Sequence, residues 1–225
     1  MFPEVLARAW RRIVPDRYAV FRSRDENLLP HRERFHGRVL NAGAGWFDIS
    51  HLVPGELINL DLPDEKDQRT NIHLRATLDA IPVESDHFDA IICLAVLEHV
   101  REPDAVMREL FRVMKPGGCL LLDVPFLQPE HLCPTDFQRY TRDGLERVAT
   151  RAGFVVEDVK PTHNIYTTLY WICWEWLHAK PRHPLYVLAR PLVLWPLLWR
   201  ARHSKTQSQI LATAFQLTAT KPLSR

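Results

Sequence analysis

Two apolar runs without alternation, DAIICLAV at residues 89–96 and CLLLDVPF at 119–126, most constrain what this 225-residue chain can fold into. Strands that read as continuous hydrophobic runs are covered on both faces, the condition of a parallel sheet lying between helices. Between them, Val106, Leu110, Val113 and Met114 recur at helical spacing from a start at Pro103 or Asp104. Pro116, Gly117 and Gly118 predict a turn after Lys115.

The same rhythm extends both ways. RVLNA (38–42) and ELINLDL (56–62) read as strands separated by a glycine loop and a helix-compatible stretch, WFDISHLV; a weaker run spans 72–76. Beyond Phe126 a polar loop leads to a helix that Thr141 can cap, with Leu145, Val148, Ala149 and Ala152 on one face and Gly153 closing it. FVVEDVKP follows as a sixth strand, and ILATAFQLTATKP alternates as a last one. Strands alternating with helices call for an open, doubly wound α/β sheet, whose ligands sit beyond the carboxyl ends of the strands where strand order reverses. The Gly43–Gly45 loop, Asp61 and residues 94–99 all fall at such ends.

Residues 1–36 are arginine-rich, broken by Pro15 and Pro30, with a short helical pattern at Val5, Leu6, Trp10 and Ile13 or Val14; they read as an N-terminal helix and linker. Residues 37–225 form the main domain, carrying an insertion at 161–208 rather than a second domain. The N-terminus lacks an uninterrupted apolar segment and a small-residue cleavage site, so it is not a secretory signal. With 29 basic and 27 acidic residues the formal charge is +2, which does not point to nucleic acid as a partner. Cys93, Cys119, Cys133 and Cys173 form no C-x-x-C pair and mostly lie in apolar segments, so they read as reduced small hydrophobes of a cytosolic protein; no metal site is expected.

VLNAGAGWFD (39–48) has two glycines of a nucleotide-type loop, but Asp48 stands where a dinucleotide loop needs its third. A nicotinamide-dependent oxidoreductase is disfavoured on that ground and by the KPGG turn. Taken in order, the loop, the acid ending the second strand, and IPVESDHFDAIICLAVLEHVREPDAVMRELFRVMKPGGCLLLDVPF (81–126) resemble a class I S-adenosylmethionine-dependent methyltransferase, of the branch containing quinone-biosynthesis and glycan-cluster enzymes. The resemblance covers about residues 38–159 plus the last strand. It implies a Rossmann-like, seven-stranded, mostly parallel sheet with an antiparallel last strand, and S-adenosylmethionine as cofactor. A cofactor without a pyrophosphate has less use for a third glycine.

By that resemblance Gly43 and Gly45 let backbone approach the methionine part, and Asp61 accepts the ribose hydroxyls. Leu62 lies against adenine, Thr77 and Leu78 face its polar edge, and Leu94 offers a carbonyl to the ammonium group. Asn41 and Thr77 stand where the family commonly has acids, which keeps alive a second reading, a methyltransferase fold serving as a non-catalytic binding or membrane-scaffold module. Transfer to a hydroxyl would need a base, for which His99, Glu130, His131 and Asp136 are available in the loops after the fourth and fifth strands. His99 could instead fix loop geometry. In CPTDFQRYT, Asp136, Arg139 and Tyr140 could hold a polar substrate, with His131 beside them, or Asp136 and Arg139 could simply pair. The acceptor is small, a glycan, or lipid-linked, methylated at oxygen.

The insertion holds five of the seven tryptophans, Trp171, Trp174, Trp176, Trp195 and Trp199. Ile165, Leu169, Ile172, Trp176 and Leu177 recur at helical spacing, as do Leu185, Leu188, Leu192, Trp195 and Trp199. Glu175, Arg190 and the prolines keep either run short of the ~20 apolar residues of a spanning helix. Flanking Lys180, Arg182, Arg190, Arg200, Arg202 and Lys205 suit a peripheral site at the inner face of a membrane, or a lid over a lipid-linked substrate; a lid or dimer contact buried within protein is the alternative.

Overall fold

The computed structural model of the protein describes residues 14–21, 24–62, 69–132, 135–180 and 183–223. Val5, Leu6, Trp10, Ile13, Cys133 and Arg182 lie outside them. The described residues within 1–22, 127–130 and 161–214 form one compact unit, and those within 23–126, 131–160 and 215–225 form the other.

The larger unit is built on seven strands: β1 Arg38–Ala42, β2 Glu56–Asp61, β3 Leu74–Arg75, β4 Phe88–Leu94, β5 Met114–Pro125, β6 Val155–Thr162 and β7 Ala214–Thr220. They are ordered β3-β2-β1-β4-β5-β7-β6, with β3∥β2∥β1∥β4∥β5. Gly117 N donates to Lys221 O at 2.8 Å and Lys221 N to Gly118 O at 3.1 Å. Leu127 N donates to Ala212 O at 3.2 Å, so β7 runs antiparallel to β5. Helices α1 Arg24–Leu28, α2 Pro103–Val113 and α3 Arg142–Ala152 belong to this unit; α4 Ile165–His178 and α5 Pro184–His203 make up the insertion. Strand order reverses between β1 and β4, at the ends carrying the Gly43–Gly45 loop and residues 94–99.

Burial explains the unbroken apolar runs. Val39, Leu40, Ala90, Ile91, Ile92, Leu120, Leu121 and Leu122 are fully buried, as strands covered on both faces must be. β7 is buried from Ala214 to Ala219, so its alternation does not separate a wet face from a dry one. Thr141 caps α3 by accepting from Gly144 N at 3.1 Å, and Gly153 ends it in the left-handed region at φ 106°. Cys93 and Cys119 are buried free thiols, which burial pushes up to about 12 and about 11.

Two local expectations give way. WFDISHLV does not become a helix; a single 3₁₀ turn, Ser50–Leu52, forms instead. Asp48 Oδ1 accepts from Ser50 N at 2.9 Å, a local turn that competes with helix, and Pro54 and Gly55 follow at once. The predicted turn at Pro116–Gly118 is absorbed into β5 as an irregularity. Phe88 pairs with Met114 but Ala90 with Cys119, so extra residues bulge out on the β5 side, with Gly117 at φ 80°.

In the smaller unit α4 and α5 pack against the segment 14–21 around Val20, Tyr170, Leu177, Leu194, Leu198 and Ala201. Asn164 joins the hairpin's open ends. Its Oδ1 accepts from Tyr166 N and Thr167 N, while Nδ2 donates to Ala201 O at 2.7 Å and Ser204 O at 3.0 Å. No helix of the described residues is long and apolar enough to cross a membrane.

Candidate functional site

The loop after β1 is pinned to the end of β2. Gly43 N and Ala44 N both donate to Leu60 O, at 2.9 and 3.0 Å, and Gly45 N donates to Asp61 Oδ2 at 3.0 Å. The two glycines serve different ends. At Gly43 (φ 76°) a Cβ would come within 2.5 Å of Val96 Cγ2, so this glycine is needed for packing. At Gly45 (φ 61°) a Cβ would meet nothing within 4 Å. There the loop opens to space rather than to a neighbouring side chain.

Asp61 is the best-connected acid of the group. Oδ1 accepts from Leu62 N at 2.8 Å; Oδ2 accepts from Gly45 N and, at 2.6 Å, from Arg69 Nη1, which also donates to Gly45 O at 2.6 Å. The Arg69 guanidinium lies 4.9 Å from the ring centroid of Trp46, which is 80% exposed. Arg69 and Trp46 escape a sequence reading. A lone arginine eight residues past the strand-end acid carries no spacing signal, and the tryptophan looks like part of a helix. Asn41 lies inside β1 opposite Asn59, and its Nδ2 donates to Asn59 Oδ1 at 2.9 Å. Asn59 Nδ2 in turn donates to Asn71 O at 2.9 Å. The residue where an acid is expected thus stitches β1 to β2. Leu62 is 52% exposed, Thr77 is exposed, and Leu78 and Leu94 are buried.

A second cluster follows β4. Residues 97–99 form a 3₁₀ turn after Ala95, which takes φ 54°, and the 135–140 segment clasps that turn. Phe137 N donates to Glu98 O at 2.8 Å, and Gln138 Nε2 donates to Leu97 O at 2.8 Å and Val100 O at 3.1 Å. Inside the clasp lie Glu98, His99, His131, Asp136, Arg139 and Tyr140. His99 Nδ1 bonds to Thr135 O. His131 N donates to Asp136 Oδ2 at 2.9 Å, and Arg139 donates both Nη1 and Nη2 to the Asp136 carboxylate. The Arg139 guanidinium above all holds Asp136 down to about 2. Burial, then the charge of Glu98, pushes the Tyr140 hydroxyl far up. The carboxylate of Glu98 is fully buried, with Oε1 at 3.6 Å from both His99 Nε2 and His131 Nε2. Sequence reasoning brings His99, His131, Asp136, Arg139 and Tyr140 to one place but misses Glu98, although it stands beside His99 in LEHV.

A charged hollow of about 470 Å³, lined by Arg38, Glu56, Asp89 and Lys115 among others, lies at the amino ends of the strands. Its charges pair with one another, with Lys115 Nζ 2.9 Å from both Asp89 oxygens, and ligands of open α/β sheets bind at the other end.

Residues 43–122 match the family described as a methyltransferase domain. The ubiquinone/menaquinone biosynthesis C-methyltransferases of Shewanella sp. (strain ANA-3) and Shewanella baltica (strain OS155) are each 34% identical over 112 residues, covering 42% of this chain and 44% of theirs. The chain thus spans less than half the length of the curated relatives it matches. Among solved structures, Haemonchus contortus phosphoethanolamine N-methyltransferase 2 in complex with S-adenosyl-L-methionine superposes with TM-score 0.56 at 14% identity, over 98% of this chain and 58% of that one. The [4+2]-cyclase SpnF gives TM-score 0.59 at 18% identity, over 89% and 82%. At these identities the likeness speaks for the fold alone.

Proposed function

We propose that the chain is a class I S-adenosylmethionine-dependent methyltransferase and that it transfers the cofactor's methyl group to a hydroxyl of a small, glycan-type or lipid-linked acceptor. The observation that carries this reading is the joint placement of Gly45 and Asp61. A strand-end carboxylate already aligned by a loop N–H lies beside a glycine whose missing side chain leaves open space. Gly43, Gly45, Asp61 and Leu62 would line the methionine and ribose, with Thr77, Leu78 and the Leu94 carbonyl completing the cofactor's surroundings. Asn41, committed to Asn59, supports that loop from behind.

A sulfonium methyl is displaced in line, and positive charge is lost as the bond forms, so proximity and exclusion of water do much of the work. The acceptor's proton must still leave. His99 and His131 offer imidazole nitrogens that can take it. Asp136, held near 2 by Arg139, is too weak a base for that step and is better placed to orient His131. Arg139 and Tyr140 then border the acceptor.

The lipid-linked alternative draws on α5. Leu185, Leu188, Leu192, Trp195 and Trp199 stand on one helical face and are 71%, 61%, 76%, 46% and 57% exposed. Lys180, Arg200 and Lys205 lie near its ends, an apolar strip with basic margins suited to an anionic bilayer surface. The distinguishing experiment incubates the protein with isotopically labelled cofactor and a cell extract, then assays the organic-soluble and aqueous fractions by mass spectrometry. A methylated glycan or lipid-linked species is expected. No labelled species, together with no calorimetric heat for the cofactor or its demethylated product, would leave only a non-catalytic module.

A further inference from the structure

We propose that Glu98, His99 and His131 form a binding site for one divalent transition-metal ion of the zinc type. The argument begins with the carboxylate. Glu98 has no exposed surface, and neither of its oxygens has a hydrogen-bond partner, an expensive state for a buried acid unless a cation compensates it. Two imidazoles lie close by, each with Nε2 at 3.6 Å from the same oxygen, Oε1.

The far nitrogens decide what those imidazoles present. His99 Nδ1 faces the carbonyl oxygen of Thr135, which can only accept, so Nδ1 carries the hydrogen and the neutral ring turns the Nε2 lone pair toward Glu98. His131 Nδ1 lies 3.5 Å from Arg139 Nη2, which can only donate, and 3.6 Å from Asp136 Oδ2. An imidazole whose outer nitrogen is held by a carbonyl is a usual arrangement behind a metal-ligating histidine, and His99 has it. The His99 nitrogen and the Glu98 carboxylate therefore turn electron pairs toward a small volume that His131 Nε2 also borders, and a cation there would offset the buried charge.

Distance and chemistry fit that charge. The three ligand atoms lie within 4.8 Å of one another. Bonds of about 2.0–2.2 Å to nitrogen and oxygen would draw them inward by side-chain adjustments alone. Two histidines and one carboxylate are a donor set of catalytic zinc and related ions, with a position left for water or substrate. The site is not sealed, since the His99 and His131 side chains are 15% and 19% exposed. If the domain methylates a hydroxyl, an ion here would bind the acceptor oxygen and ease loss of its proton. That role rests on the methyl-transfer reading, whereas binding of the ion does not.

The test is therefore run without cofactor. Chelator-stripped full-length protein is titrated with zinc chloride in a calorimeter, and the bound metal is counted by elemental analysis after dialysis. One ion per chain is expected. Glu98→Gln and His131→Asn should each weaken binding by roughly 100-fold or more, beyond the 10–100-fold of losing an outer partner. Co²⁺ should bind with a visible absorption band that both ligand variants lose. S-adenosylmethionine binding by each variant, measured in parallel, reports that it is folded. Zinc affinity equal in wild type, Glu98→Gln and His131→Asn would overturn the site and leave a proton shared among the three groups.

Discussion

Asp61 and Arg69 oppose each other at the scale of single residues. The carboxylate has room for about four hydrogen bonds, of which Leu62 N, Gly45 N and Arg69 take three. Ribose hydroxyls would use the remaining position and compete with the guanidinium for Oδ2. Asp61→Asn keeps the shape but loses the charge, and hydrogen bonds to charged acceptors are worth about 1.5–3 kcal/mol. Calorimetry should therefore show S-adenosylmethionine affinity falling roughly 10- to 100-fold, and an unchanged affinity would remove the ribose role. Asp136 makes a different prediction. Its native value of about 2 lies below the unfolded ~3.9 of an aspartate. Its contribution is complete above pH 4 and is lost as pH falls toward 2. Urea unfolding should find Asp136→Asn less stable by on the order of 2 kcal/mol at pH 6, with the gap closing by pH 2. The place of Asp61 at the end of β2 was legible in the sequence because the apolar run of that strand stops there. Arg69 was not, because only the folded chain brings it to Asp61.

At the scale of elements, what the sequence makes legible follows from periodicity, and what it hides follows from competition between neighbours. The strands and α2 and α3 are read correctly because their apolar spacing coincides with burial. WFDISHLV has helical spacing too, but an aspartate turn and a following proline prevail over it. The glycines after Lys115 signal a turn, yet parallel pairing with β4 resumes at Cys119 and converts them into a bulge. Gly118 measures how tight that bulge is. A Cβ there would lie 2.6 Å from Met114 Cγ, 2.8 Å from Lys115 O and 3.0 Å from Asp89 O, and two of these are backbone atoms that cannot swing away. Gly118→Ala should cost about 1–3 kcal/mol in chemical denaturation. The apolar spacing of α5 is real but turned outward, which hydrophobic periodicity alone cannot distinguish from a core stripe. Leu188→Glu combined with Leu192→Glu should therefore leave the unfolding midpoint nearly unchanged while abolishing flotation with anionic vesicles. Equal flotation of both proteins, or recovery of neither, would count against a lipid-facing strip.

For the whole molecule, the consequence lies in its two cores. One gathers Val39, Ala90, Ile92, Leu94 and Leu121 in the sheet unit; the other gathers Val20, Tyr170, Leu194 and Leu198 in the helical unit. The sequence shows the insertion between β6 and β7 but not its separate core, because the segment 14–21 that completes it lies some 150 residues upstream of α4. Asp16 O accepts from Tyr170 Oη at 2.7 Å and Pro15 O from Trp174 Nε1 at 3.2 Å, contacts that no local pattern announces. Units with their own cores can unfold separately. Every cofactor-lining residue proposed above belongs to the sheet unit, so S-adenosylmethionine should stabilise that unit directly, by about 2.7 kcal/mol at a free concentration 100 times Kd. Scanning calorimetry should then resolve two transitions, and the cofactor should raise only the one that Gly118→Ala lowers. Because the helical unit is closed by a distant segment, a Tyr170→Phe variant, which loses the bond to Asp16, should lower the other transition and leave the cofactor-dependent shift intact. A single transition that both substitutions move together would mean that the two cores fold as one cooperative body.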